Sequence, residues 1–387
     1  MRIPLFITPQ SLSPRTAIGM QTKRLVNGCS QWRHLYWAGA ELRSLDPRSA
    51  RIDSLLFTRI GPLRDRPSPL SNALRKRGFS WWDGERPSKK LANLLREEYA
   101  PSTSKAYVAP LHEKDAARMQ AILEILQSPF VLHLWDLLDD KQIDQPATRW
   151  LIEQAEHVFC VSETLMRSIP KRPDCVSILR FGRSQSPVRA KLFTGAKLKI
   201  AMLGNMGSYL DGTLLLDKVI TSLRGTVEVE LVYVGLEKHL NGWRHHLKNP
   251  VRATGFVYSD DRRDELLAEC HVGFLPGPSG DPFADSRSRY SIPSRVLDFF
   301  AVGLPVLATV NPYSATAEYL KELGWNEEDF RPDASVLSQR LTTLASPSNW
   351  LLEADRSKAA FEQVSTEDAS IALWRLLVEQ PNAMQHC

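Results

Sequence analysis

Short apolar runs with strand character alternate with helix-length segments along almost the whole chain, and no other feature restricts the fold as tightly. In the second half the series is unbroken. LKIAMLG, VEVELVYVG, VRATGFV, HVGFLPG and PVLATV read as strands, while DGTLLLDKVITSLR, LNGWRHHLK, RRDELLAEC and IPSRVLDFFAVG read as the helices between them. Strands separated by helices lie parallel in one sheet, with the helices on its faces. The first half repeats the pattern with IPLFIT, FVLHLWDL and HVFCVS as strands and MQTKRLVNGCSQ, ARMQAILEILQ and ATRWLIEQAE as helices; Ser162 is placed to cap ETLMRSI.

A chain of 387 residues exceeds the size at which one hydrophobic core keeps growing, so two α/β domains are expected. The turn-rich, basic run FGRSQSPVRAKLFTGAK separates the two patterns and is read as the linker, giving domains at 1–185 and 186–360 and a C-terminal helical segment, 361–387, packing back on the first domain. Residues 46–105, rich in Arg, Pro and Ser and without periodicity, read as an insertion. The net charge of +5 favours anionic partners in general, but dense Lys/Arg runs are absent, which argues against nucleic acid and leaves phosphorylated small molecules or an anionic membrane surface. The five cysteines are scattered without metal-site spacing and read as reduced thiols, and no metal is expected. The N-terminal apolar run is short and interrupted by Pro4 and Pro9, so neither a secretory leader nor a membrane span is expected there. Together these point to a cytoplasmic protein, free or on the inner face of a membrane.

In an open α/β sheet, ligands bind beyond the carboxyl ends of the strands, where loops and helix N-termini project. Two segments qualify. GNMGSYLDG, Gly204 to Gly212, has the glycines that let backbone amides approach an anion; the plainer reading is a tight strand-to-helix turn. SIPSRVLDFFAVGLPVLAT, Ser291 to Thr309, places Asp298 in the middle of an apolar helix, where a carboxylate needs a hydrogen-bonding partner. Ser294 suits the cap, and Arg295 in the first turn opposes the helix dipole unless an anion lies near. A ribose diol on Asp298 and a diphosphate near Arg295 explain both residues; an internal Arg295–Asp298 ion pair is the alternative.

PSRVLDFFAVGLPVLAT resembles the signature helix of GT-B glycosyltransferases, above all the large retaining group (family 4-like, group 1) with the form P-S-K-x-x-E-Y-x-A-x-G-x-P-V-I-A-T. AECHVGFLPGP, RATGFV, VELVYVG, AEHVFCVSETL and VLHLWD are similar to further elements of that group, in the same order. The resemblance implies two Rossmann-like domains with parallel sheets facing an interdomain cleft. The second would hold a nucleotide-sugar donor, and the first a saccharide, lipid-linked or small-molecule acceptor. Carried over by position, it implies a donor site of Gly204, Asn205, Gly207, Gly255, Arg287, Arg289, Tyr290, Ser294 and Asp298, with Asp298 on the ribose. It implies a first-domain loop at Gly19 and catalytic candidates Asp136, His133 and Arg295.

Two departures stand out. Tyr290 replaces the glutamate that contacts the transferred sugar, and GNMGSYLDG lacks the Arg and Lys that clamp the diphosphate, a task open to Arg287, Arg289 or Arg295. His133 has the plainer reading of a satisfied strand-end histidine, DDRRDE that of a solvated helix start, and Trp81-Trp82 that of a packed flap rather than an acceptor grip. The expected activity is metal-independent and cofactor-free glycosyl transfer, retaining by the resemblance. The rivals are a nucleotide-sugar epimerase or hydrolase on the same fold and a catalytically silent subunit that binds nucleotide-sugar or a partner enzyme. Replacing Asp298 with Ala is expected to weaken donor binding and leave the fold intact.

Overall fold

A computed structural model of the chain describes residues 3–9, 22, 24–25, 32–38, 41–45, 82–83, 86–87, 89–135, 140–180, 182–183, 186–257, 259–277, 289–364, 373 and 377. It divides into two units, Met1–Arg180 with Asp368–Cys387, and Phe181–Glu367.

In the first unit the strands are β1 (Ile3–Thr8), β2 (Arg33–Ala38), β3 (Glu41–Leu45), β6 (Thr103–Val108), β7 (Phe130–Leu134), β8 (His157–Cys160) and β9 (Val176–Ile178), and a two-residue hairpin, β4 (Trp82–Asp83) with β5 (Arg86–Pro87), lies outside their sheet. The sheet order is β3-β2-β1-β6-β7-β8-β9, parallel except for β2 with β3. Its helices are α1 (Lys89–Leu94), α2 (Glu113–Leu126), α3 (Pro146–Gln154) and α4 (Glu163–Arg167). Ser162 caps α4, its hydroxyl accepting from the Leu165 amide at 3.3 Å.

The expected insertion therefore contains structure its composition conceals. Residues 89–102 are helical and β6 begins at Thr103, inside the span assigned to the insertion. β6 occupies the middle of the sheet although its sequence, TSKAYV, carries three polar residues, because burial in a parallel sheet follows position rather than alternation. Cys160 and Cys270 are free, buried thiols, but Cys175 is disulfide-bonded. Sequence spacing could not reveal a pairing made in space, so the expectation of five reduced thiols is corrected.

The second unit is a five-stranded, wholly parallel sheet: β10 (Leu198–Leu203), β11 (Val229–Val234), β12 (Val251–Ala253), β13 (Val272–Pro276) and β14 (Val306–Thr309), in the order β12-β11-β10-β13-β14. Alternate residues feed opposite faces. On β10, Leu198, Ile200 and Met202 pack with α5 (Leu210–Ser222), α6 (Glu237–Trp243) and α10 (Ala334–Leu344). Ala201 and Leu203 pack with α7 (Asp260–Ala268), α8 (Arg295–Val302) and α9 (Ala315–Glu322). The last helix, α11 (Pro347–Gln363), contributes to both clusters.

α8 is buried from Val296 through Val302. It seats closely because β13 offers Gly273 beneath it: a Cβ there would stand 2.3 Å from the Phe299 ring. The helix stops at Gly303, whose φ of 73° lets its amide turn back to the Phe299 and Phe300 carbonyls. Among the described residues, no helix is long and apolar enough to cross a membrane.

Candidate functional site

In the second unit, sheet order reverses between β10 and β13, and the carboxyl ends of these neighbours mark the crevice where such sheets take ligands. The segment leaving β10 is Gly204–Tyr209. Gly204 has φ of 80°, which a side chain would strain, and its amide donates to the Val234 carbonyl at 3.0 Å. Asn205 then makes a local turn, its Oδ1 accepting from the Gly207 amide at 3.1 Å. Gly212, in the first turn of α5, allows close packing on the strand ends: a Cβ would lie 2.7 Å from Thr309 Oγ1 and 3.0 Å from the Gly277 carbonyl oxygen. At the edge of the sheet, two strands from β10, Gly255 lies past β12 with φ of 86°.

α5 and α8 both follow strands, so both begin at this carboxyl edge. No side chain caps either N-terminus. At α8 this corrects the expectation for Ser294: it occupies the cap position, but its backbone is already helical and its hydroxyl accepts no helix amide. Arg295 links the two ends. Its Nη1 donates to Met206 Sδ at 3.1 Å, and its guanidinium carbon lies 4.9 Å from the centre of the Tyr209 ring.

A thioether is a weak acceptor. Arg295 makes no salt bridge among the described residues, and burial lowers its pKa from the ordinary arginine value, with Tyr209, Tyr233 and Asp298 countering. The Tyr233 hydroxyl is correspondingly pushed up to about 12 by burial, with Arg295 pulling the other way. This is a half-buried cation over the Gly204–Tyr209 loop, beside two uncapped helix ends, an arrangement that attracts an anion.

Asp298 faces elsewhere. It is 3% exposed, and its Oδ1 accepts from Arg183 Nη1 at 2.9 Å and lies 3.1 Å from Arg263 Nη2. Arg183 also donates to Asp264 Oδ2, and Arg263 to Asp260 Oδ1 at 2.5 Å. Burial opposes the charge on Arg183, yet Asp298 and Asp264 outweigh it and raise the guanidinium pKa. In this structure Asp298 is partnered by a pair of arginines from other segments, and it forms no ion pair with Arg295 among the described residues. DDRRDE is corrected as well: Asp261 and Arg262 are solvated, but Arg263 and Asp264, one helix face round on α7, are buried.

The remaining candidates are dispersed. Tyr290 is buried, with the Arg289 guanidinium 5.2 Å from its ring centre. His133, in the first unit, is buried on β7; its Nε2 donates to the Leu179 carbonyl at 3.0 Å, so Nδ1 must be the acceptor for the Tyr107 hydroxyl at 2.7 Å. Desolvation lowers its pKa to about 3. With both nitrogens engaged and no exposure, it is a structural histidine, not the catalytic base. Gly19, Trp81, Asp136 and Arg287 lie outside the described residues.

Sequence reasoning missed Met206, Tyr209, Arg183, Arg263 and Asp264. Arg183 carried no signal, lying in a segment read as linker; Tyr209 had one, as an aromatic beside a glycine loop that lacked the expected cations. Among the described residues, no group of three or more His, Cys, Asp or Glu could hold a metal ion.

No family model matches the sequence, and no curated protein matches it. Solved structures do. HepE of Anabaena in complex with UDP and glucose matches with a TM-score of 0.65 at 12% identity, over 98% of this chain and 100% of that one. A glycosyltransferase of Rickettsia africae ESF-5 matches with a TM-score of 0.60 at 10% identity, over 98% and 99%. The trehalose-6-phosphate synthase OtsA gives 0.60 at 9%, also over 98% and 99%. Similarity at such identities speaks to architecture alone, and the architecture is the GT-B fold.

Proposed function

We propose that this GT-B protein is a glycosyltransferase that moves a sugar from a nucleoside diphosphate donor to a hydroxyl of a saccharide, lipid-linked or small-molecule acceptor, with its second unit holding the donor. The observation that carries the reading is Arg295, a half-buried guanidinium without a carboxylate partner among the described residues, set against Met206 and Tyr209 of the Gly204–Tyr209 segment, between the uncapped starts of α5 and α8. A diphosphate answers all three features at once.

In the reaction, negative charge develops on the diphosphate as the bond to the sugar breaks. Arg295 leaves the Met206 sulfur for a phosphate oxygen, and the two helix ends add their partial positive charge, so that the leaving group is stabilised without a metal. Asp298 does not touch the donor in this scheme; with Arg183 and Arg263 it fixes the helix that presents Arg295. Gly255 and Arg289 remain donor-side candidates. Asp136, two residues beyond β7, is our candidate for the acceptor side, and Gly19 for the first-unit loop. Retention of anomeric configuration follows the motif resemblance, and a cytoplasmic location, free or at the inner face of a membrane, belongs to the same proposal.

UDP-glucose is the first donor to try, since HepE was solved with it. The test is release of nucleoside diphosphate from a panel of UDP-, GDP-, CDP- and dTDP-sugars in EDTA, with and without oligosaccharide and lipid-linked acceptors. Release that requires an acceptor supports transfer, and release without one supports hydrolysis. Binding with no release supports the second reading, a silent nucleotide-sugar-binding subunit, which the burial of Tyr290 in the sugar-contacting position favours.

A further inference from the structure

Trp243 ends α6, the helix that follows β11, and is only 2% exposed. Its ring packs edge-on to Tyr233 with centroids 5.6 Å apart. The indole Nε1–H is buried and has no hydrogen-bond partner among the described residues. Leaving such a donor unmade is costly, and native proteins seldom do so without cause.

The place of this donor gives the cause. Trp243 Cδ1, the atom bonded to Nε1, lies 3.5 Å from where a Cβ on Gly207 would stand. Gly207 belongs to the loop whose Met206 and Tyr209 hold Arg295. The fold in hand does not require a glycine there: its φ is not positive, and a Cβ would make only ordinary contacts. Two donors thus lack a proper acceptor beside one loop, Arg295 from the α8 side and Trp243 from the α6 side, and the residue between the indole and the loop is the one with no side chain to obstruct a shift.

We infer that Trp243 is a phosphate ligand of the donor site: the loop draws back at Gly207 as the diphosphate enters, and the indole N–H donates to a phosphate oxygen opposite Arg295. This rests on the reading of the second unit as a nucleoside diphosphate site, and it adds to that reading an uncharged donor in place of one of the absent clamp cations. Trp243 discriminates phosphate and is indifferent to the base.

Two measurements test it. In calorimetric titrations with UDP, GDP, CDP and dTDP, each beside its own nucleoside, Trp243→Phe keeps the ring packing and removes only the N–H. The diphosphate bound by the wild type should bind the variant about tenfold more weakly or worse, with the affinity for the parent nucleoside unchanged. In the ¹H–¹⁵N spectrum of the wild type, the indole resonance that vanishes in Trp243→Phe should move downfield on adding that diphosphate and stay in place with the nucleoside. Equal diphosphate affinity in the folded variant, or an indole resonance that does not move, overturns the role of Trp243 while the donor site stands. A wild type that binds none of the four removes both. Should the variant fail to fold, loss of one indole resonance from a selectively labelled wild type on diphosphate addition, with no downfield partner, also counts against it.

Discussion

Asp298 and Arg295 lie on the same helix and have opposite relations to their surroundings. Asp298 is enclosed, with two guanidinium groups from distant segments on its carboxylate, whereas Arg295 is half-buried against a sulfur and an aromatic ring. Removing one member of a buried charge cluster leaves the others uncompensated, which costs about 3 kcal/mol or more. Asp298→Ala should therefore lower the unfolding free energy of the second unit by an amount of that order, seen as a lower urea midpoint, instead of leaving the fold intact as the motif alone suggested; an unchanged midpoint would show that the cluster is not coupled to the fold. The sequence displayed the paradox of an acid in an apolar helix. It could not display the answer, because Arg183 lies 115 positions away from Asp298 and Arg263 sits in a stretch whose charges look uniformly solvated.

Three strands of the first unit each bury a histidine. His34 on β2 pairs its Nε2 with Thr8 Oγ1 at 2.7 Å, and His133 on β7 bridges Tyr107 and Leu179. Burial lowers both pKa values to about 3. His157 on β8 is lowered to about 4 by burial and by Lys171. Above an unfolded-state pKa of about 6.5 these groups are neutral in both states and add no pH dependence. As pH falls from there toward 3, the unfolded chain takes up protons that the folded chain refuses, so stability is lost on the acid side at about 1.4 kcal/mol per pH unit for each histidine. Urea midpoints at pH 7, 6 and 5 should fall progressively, and His133→Gln, which keeps a donor toward the Leu179 carbonyl, should make the fall shallower; a flat profile would contradict the burial of these side chains. At this scale the helix periodicities and the apolar strands of the second unit were legible. β3, β6 and β9 were not, because they are short or polar and gain their strand state from neighbours in the sheet; β2, RHLYWA, is as long as β1 and was passed over despite its apolar run.

For the whole molecule, the alternation of strands and helices was enough to read a doubly wound α/β fold, since parallel sheets need long connections and cover both faces. The candidate site was legible in outline: the glycine loop after β10, Arg295, and the approach to a carboxyl edge. Its chemistry was less so, because what distinguishes Arg295 is the lack of a carboxylate partner among the described residues, and a sequence does not show which charges remain unmatched after folding. The account stands or falls on that residue. Calorimetric titration of wild type and Arg295→Ala with UDP, GDP, CDP and dTDP in EDTA is the most direct measurement. The account predicts that one of the four binds the wild type, and that the folded variant loses about tenfold or more of that affinity. Equal affinity in the two proteins, or no binding to the wild type, would contradict it.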